Sequence, residues 1–221
     1  MKWFRFCILR RLAMSACMLS LTLAAPQSYP TTSAGLYSYL CGRWRVSKTL
    51  KYVRGGRDGS FCGMATFEPL QCDDGRARLR YGEEGVLSLD GEAKGLSASR
   101  RLLYDFEPLP LALQEQTPPD NDMRLVHVLF DESGARGAAE VREAARFFHA
   151  IRLSAAPDQA PAPFTHPCGP DMYTGRFVVR SEDEFVLDWR VDGPRKLGSV
   201  MIRYRRHQSS AQASALGVIC E

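Results

Sequence analysis

Chemistry-bearing residues are densest in His166-Pro-Cys168-Gly-Pro-Asp171, followed by Tyr173. Three chemistries suit these types. His166 and His149 are nitrogen donors for a metal or haem. Cys168 beside a histidine is a nucleophile pair, with Asp171 as the orienting carboxylate. The third is architectural: Gly and Pro shape a turn in which His166 and Asp171 cap backbone groups. H-x-C is too short for a standard zinc half-site, and no C-x-x-C or H-x-x-x-H accompanies it. Gly193-Pro-Arg-Lys196 lacks the P-loop spacing and is a hairpin turn, anion-facing through Lys196.

Strands must position these groups, because period-two alternation dominates the chain. Trp44, Val46, Lys48 and Leu50 share one parity, and so do Phe61, Gly63, Ala65 and Phe67. Phe185, Leu187, Trp189 and Val191 repeat the pattern, as do Val200, Ile202 and Tyr204. Such runs are half-buried strands. Further strands are expected over Ala77–Tyr81, Val86–Leu89, Leu96–Phe106, Leu125–Phe130, Phe147–Leu153 and Tyr173–Val179. The fold class is therefore all-β: an antiparallel closed barrel of roughly ten strands, since closure removes exposed edges. Helix is confined to Ser33–Leu40 and Ala138–Ala145. Pro108–Asp122, Asp131–Glu143 and Ala155–Pro163 are surface insertions.

The strand phases place several polar groups on the apolar face. With Trp44, Phe61 and Trp189 inward, Lys48 is inward too. Arg100 shares the parity of Leu102, Tyr104 and Phe106, and His149 that of Phe147, Ile151 and Leu153. Glu83 matches Tyr81, and Asp171 matches Tyr173. A buried unpaired charge costs several kcal/mol, so these groups pair, line a wet cavity or stand at the barrel mouth. Arg100, mid-strand, needs a carboxylate or a ligand, and Glu83 is the expected partner ahead of Asp171.

Of the 221 residues, 29 are Lys or Arg and 25 Asp or Glu. The surplus is Lys2, Arg5, Arg10 and Arg11, all in an acid-free leader. A neutral body gives no electrostatic reason for nucleic-acid binding. Residues 1–25 read as a signal peptide or a mitochondrial presequence, with the secretory pathway favoured. The uncharged stretch Leu12–Ala25 is shorter than the roughly 20 residues a stable membrane span needs. Residues 26–33 form a linker, 34–207 the barrel domain and 208–221 a tail. Beyond the leader, Cys41, Cys62, Cys72, Cys168 and Cys220 lack metal-binding spacing and are expected to be mostly reduced and buried.

Gly42-Arg-Trp44 resembles the G-x-W of the calycins, the superfamily of lipocalins and fatty-acid-binding proteins. In those folds a basic residue of the last strand covers the Trp at the barrel floor. The resemblance offers Arg203, Arg205 or Arg206 for that role, with Arg205 assigned beside Gly42 and Trp44. Five more segments follow in order: Tyr81-Gly-Glu-Glu-Gly85, Phe147-Phe-His149, His166 to Tyr173, Trp189 to Lys196, and Tyr204-Arg-Arg206. Together they resemble the uncharacterised DUF6314 family over about Leu36 to Arg206. The resemblance implies a calycin-like barrel and no established activity or cofactor.

The expected function is small-molecule binding without catalysis. Lys48, Glu83, Arg100, His149, His166, Cys168, Asp171, Tyr173 and Lys196 are the candidate ligand residues at the lumen or mouth. The competing readings are an enzyme built on Glu83, His149, His166, Cys168 and Asp171, and a haem-binding barrel using His149 or His166.

Overall fold

Alternating side chains give the chain one apolar face per strand, and ten such strands wrap that face inward. A computed structural model describes residues 30–70, 77–106, 125–131, 146–154 and 159–207. Helix α1 (Ser33–Leu40) leads into β1 (Gly42–Arg54), β2 (Gly59–Leu70), β3 (Arg78–Leu89), β4 (Leu96–Asp105), β5 (Leu125–Phe130) and β6 (Arg146–Arg152). After them come β7 (Pro163–Cys168), β8 (Asp171–Ser181), β9 (Glu184–Asp192) and β10 (Leu197–Arg206). One antiparallel sheet runs β6-β5-β4-β3-β2-β1-β10-β9-β8-β7, a nearly closed barrel with its seam between β6 and β7.

The floor is built from α1. Thr32 caps the helix, its Oγ1 accepting from the Gly35 N–H at 3.1 Å. Leu36 and Leu40 are fully buried in the main core. The Trp44 indole N–H donates to the Leu40 carbonyl at 2.8 Å, tying β1 to the helix end. Arg206, whose register partner is Trp44, carries its guanidinium 4.2 Å from the Trp44 ring centroid. It also donates to the carbonyls of Tyr39 at 2.8 Å and Cys41 at 3.3 Å. The floor cation is thus Arg206 rather than Arg205, which lies on the outer face and pairs with Glu184 at 2.9 Å. Parity explains the difference, since Arg206 continues the inward row of Ile202 and Tyr204.

Three expectations change in detail. Ala77–Tyr81 and Val86–Leu89 are one strand, because the intervening Gly82–Gly85 stay in ladder with both β2 and β4. The His166–Asp171 segment is strand as well as turn. Strand β7 pairs only with β8, and an edge tolerates Pro163 and Pro167. Strand β6 does not keep one parity: Val128 faces His149 and Leu129 faces Phe147, so Phe148 is a bulge residue. The bulge turns Phe148 and His149 both inward and sends Phe147 to a second cluster with Leu70, Leu103 and Leu129.

Cys41 is half-buried and free, whereas Cys62 and Cys168 are free and exposed, contrary to the buried placement expected of them. The leader, residues 26–29 of the linker, the Ala138–Ala145 helix, Pro108–Asp122, residues 132–143, Cys72, Cys220 and the tail lie outside the described residues. Among the described residues no helix is long and apolar enough to cross a membrane.

The floor contacts set a paired expectation. Arg206→Ala removes a cation–π contact, charge-assisted bonds to the carbonyls of Tyr39, Cys41 and Glu182 and an ion pair with Asp183, and should lower unfolding stability by about 2 kcal/mol. Arg205→Ala removes an exposed ion pair and should cost less than about 1 kcal/mol, both read by urea denaturation.

Candidate functional site

Above the floor, the inward rows of β1, β3, β4 and β6 carry charged or polar groups where the core rule would place hydrocarbon. Lys48 on β1 reaches across β2 to Glu83 on β3, and Nζ donates to Oε1. The span is possible because β2 presents Gly63 and Ala65 there. The second carboxylate oxygen of Glu83 accepts from the Tyr81 hydroxyl, which lies 3.0 Å from the Tyr204 hydroxyl. A Cβ on Gly85 would sit 2.7 Å from the tip of Phe61, so this glycine seats the ring that faces Lys48 Nζ at 4.5 Å. Burial holds the Lys48 ammonium below its ordinary range, more strongly than Glu83 raises it. Burial likewise pushes the Tyr81 and Tyr204 hydroxyls well up, so both stay protonated.

Arg100 stands directly opposite Glu83 in the β3–β4 register, yet the two do not pair. Lys48 and Tyr81 occupy both carboxylate oxygens. The Arg100 guanidinium instead lies over aromatic faces, 4.8 Å from the Phe148 centroid and 5.9 Å from that of Phe130. It makes no hydrogen bond or ion pair among the described residues. The expected Arg100–Glu83 bridge is therefore absent, and Asp171 is not its partner either.

His149 is 1% exposed, and neither ring nitrogen has a hydrogen-bond partner among the described residues. Its ring stacks on Phe164 at 4.4 Å and meets Trp189 edge-on at 5.1 Å. Gly175 makes room for that stack, since a Cβ there would lie 2.2 Å from the Phe164 ring. Burial, then the charges of Arg100 and His166, hold the His149 imidazole well below its ordinary range, so it is neutral. His166 bridges the seam, its Nδ1–H donating to the Phe148 carbonyl at 2.9 Å. Burial is again the largest cause of its lowered pKa.

Lys48, Glu83, Arg100 and His149 line one small cavity, walled by Tyr81, Tyr104, Tyr204 and Trp189. The centre of a water molecule can sweep about 20 Å³ of it, where a single water needs roughly 10–15 Å³. The remaining candidates stand elsewhere. Cys168 is exposed at the end of β7. Asp171 is buried but accepts the backbone N–H of Arg195 at 2.9 Å and of Lys196 at 3.1 Å, fixing the β9–β10 hairpin. Lys196 donates to the Tyr173 hydroxyl at 3.3 Å, outside the cavity lining. No group of three His, Cys, Asp or Glu among the described residues is disposed to hold a metal ion. Sequence reasoning passed over Phe148 and the hydroxyls of Tyr81 and Tyr204. The tyrosines carried a readable signal, sharing parity with Glu83 and Ile202; the bulge that admits Phe148 left none.

Two expectations follow. Lys48→Met strands the buried Glu83 carboxylate and should cost about 3–5 kcal/mol, most of it recovered in Lys48→Met/Glu83→Leu, as denaturant midpoints would show. Buried His149 and half-buried His166 titrate near roughly 6.5 in the unfolded chain and lower in the fold. The unfolded state therefore binds more protons below that pH, and stability falls as pH drops from about 7 towards 5. His149→Phe should make that slope of urea midpoint against pH shallower.

No curated protein matches the sequence. Among solved structures, the chain is similar to the S-type phycobiliprotein lyase CPES from Guillardia theta. The identity is 9% and the TM-score 0.48, over 82% of this chain and 96% of that one. It is also similar to a redesigned β-barrel, mFAP1, bound to DFHBI, at 13% identity and a TM-score of 0.34, over 77% of this chain and 97% of that one. A family model described as a family of unknown function, DUF6314, matches residues 40–206, from the helix end beneath Trp44 to the arginine that covers it, and the chain belongs to that family.

Proposed function

We propose that the barrel binds a small molecule through an anionic head group held by Arg100. The observation that carries this reading is the charge inventory of the cavity among the described residues: two cations, Lys48 and Arg100, against the single carboxylate of Glu83. Lys48 is already neutralised by that carboxylate. Arg100 is left with five donors and a positive charge that no carboxylate among the described residues balances. A guanidinium over aromatic rings in a low-dielectric cavity attracts a carboxylate, which its fork engages at two points.

Leu87, Ala98 and Val200 continue the same strand rows towards the end opposite the Trp44 floor and are half-buried against the core. They suit an apolar body extending from the head group. Binding is favoured over catalysis because the nucleophile and acid–base candidates do not converge: Glu83 and His149 line the cavity, whereas Cys168 and Asp171 do not. A haem reading fits poorly, since His149 is clamped between Phe164 and Trp189 and the space beside it is water-sized.

Arg100→Gln should leave the melting temperature within a few degrees of the parent, because no buried partner is stranded. It should weaken binding of a six-carbon monocarboxylate by at least about tenfold in isothermal titration calorimetry. Equal affinity in the two proteins, or no carboxylate binding by the parent, rejects the reading.

A further inference from the structure

The cavity holds a second feature that a carboxylate on Arg100 leaves unexplained. His149 is 1% exposed with both ring nitrogens unpartnered among the described residues, whereas buried polar groups are nearly always hydrogen-bonded. Phe164 stacks on the ring and Trp189 meets it edge-on, which prevents it from swinging to a partner elsewhere. Beside it the cavity has room for a group about the size of a water or a hydroxyl.

We infer that His149 is the second recognition point of the site and selects ligands that carry a hydroxyl group next to the carboxylate, the 2-hydroxy monocarboxylates. This rests on the Arg100 reading above. The Arg100 fork consumes both carboxylate oxygens, so the group meeting His149 is a different part of the ligand. A neutral imidazole offers one donor and one acceptor nitrogen. A hydroxyl serves either nitrogen, because it both donates and accepts. A second carboxylate serves only the N–H, and it brings a charge for which the described lining holds no unengaged cation. Glu83 repels that charge, and Lys48 is already engaged. The site thus ranks 2-hydroxy monocarboxylates first, plain monocarboxylates next and dicarboxylates last.

A matched six-carbon series tests this on the full chain by isothermal titration calorimetry: 2-hydroxyhexanoate, hexanoate and adipate. The parent should bind 2-hydroxyhexanoate about tenfold more tightly than hexanoate, and adipate most weakly. His149→Phe should bind the first two equally, while His149→Gln, which keeps a donor and an acceptor, should retain a preference. Hexanoate binding in the parent with no gain from the hydroxyl overturns the His149 inference and leaves the Arg100 reading standing. The same preference persisting in His149→Phe also overturns it, assigning the hydroxyl to another group. Should neither monocarboxylate bind, the Arg100 reading falls and this one with it.

Discussion

The Lys48–Glu83 pair is the interaction around which the barrel interior is organised. A carboxylate at 4% exposure survives only where both oxygens are satisfied, and here an ammonium and a phenol do so. That requirement reaches outward into the sequence. It keeps β2 small at Gly63 and Ala65, so that the lysine stem can cross. It also fixes Tyr81 in the rotamer that reaches Tyr204 on the far wall. Because the pair is complete, the next cation along, Arg100, finds no carboxylate to neutralise it among the described residues. The site's positive charge is the residue of a structural solution.

Aromatic packing converts that charge into a defined position. Phe148 stacks on Trp189 and lies under Arg100, while His149 is wedged between Phe164 and Trp189. These rings come from β6, β7 and β9, so they also bind together the two edges that share no ladder. The outer face has its own buried pair, Arg78 with Asp105 at 3.1 Å, set by direct register between β3 and β4. The same two strands therefore carry paired charges outside and unequal ones inside. The difference lies in which neighbour's side chain is long enough to intervene.

Much of the fold was legible because alternation is a local property. The rows through Trp44, Phe61, Trp189 and Ile202 gave the inward face of β1, β2, β9 and β10, and parity alone placed Lys48, Glu83 and Arg100 in the lumen. Partner choice was not legible in the same way. Register sets Glu83 opposite Arg100, but the contact goes to Lys48, two strands away, through space that only three-dimensional packing reveals. Strand β6 misled for a different reason, since a bulge resets parity without a glycine or proline to announce it. Strand β7 was hidden by its two prolines, which signal a turn to local reasoning and an edge strand once the sheet is assembled. The choice between Arg205 and Arg206 was readable from the parity of Tyr204.

The seam between β6 and β7 gives the barrel a mechanical division. Strands β1 to β6 form one sequential meander and β7 to β10 another, and the β1–β10 ladder is the backbone joint between them. Across the opposite junction the strands meet through side chains, with His166 reaching the Phe148 carbonyl. The cavity spans both halves, taking Lys48, Glu83, Arg100 and His149 from the first and Leu187, Trp189, Ile202 and Tyr204 from the second. An occupant touching both walls would act as a clasp opposite the β1–β10 hinge. Occupancy and closure of the barrel would then be two descriptions of one equilibrium.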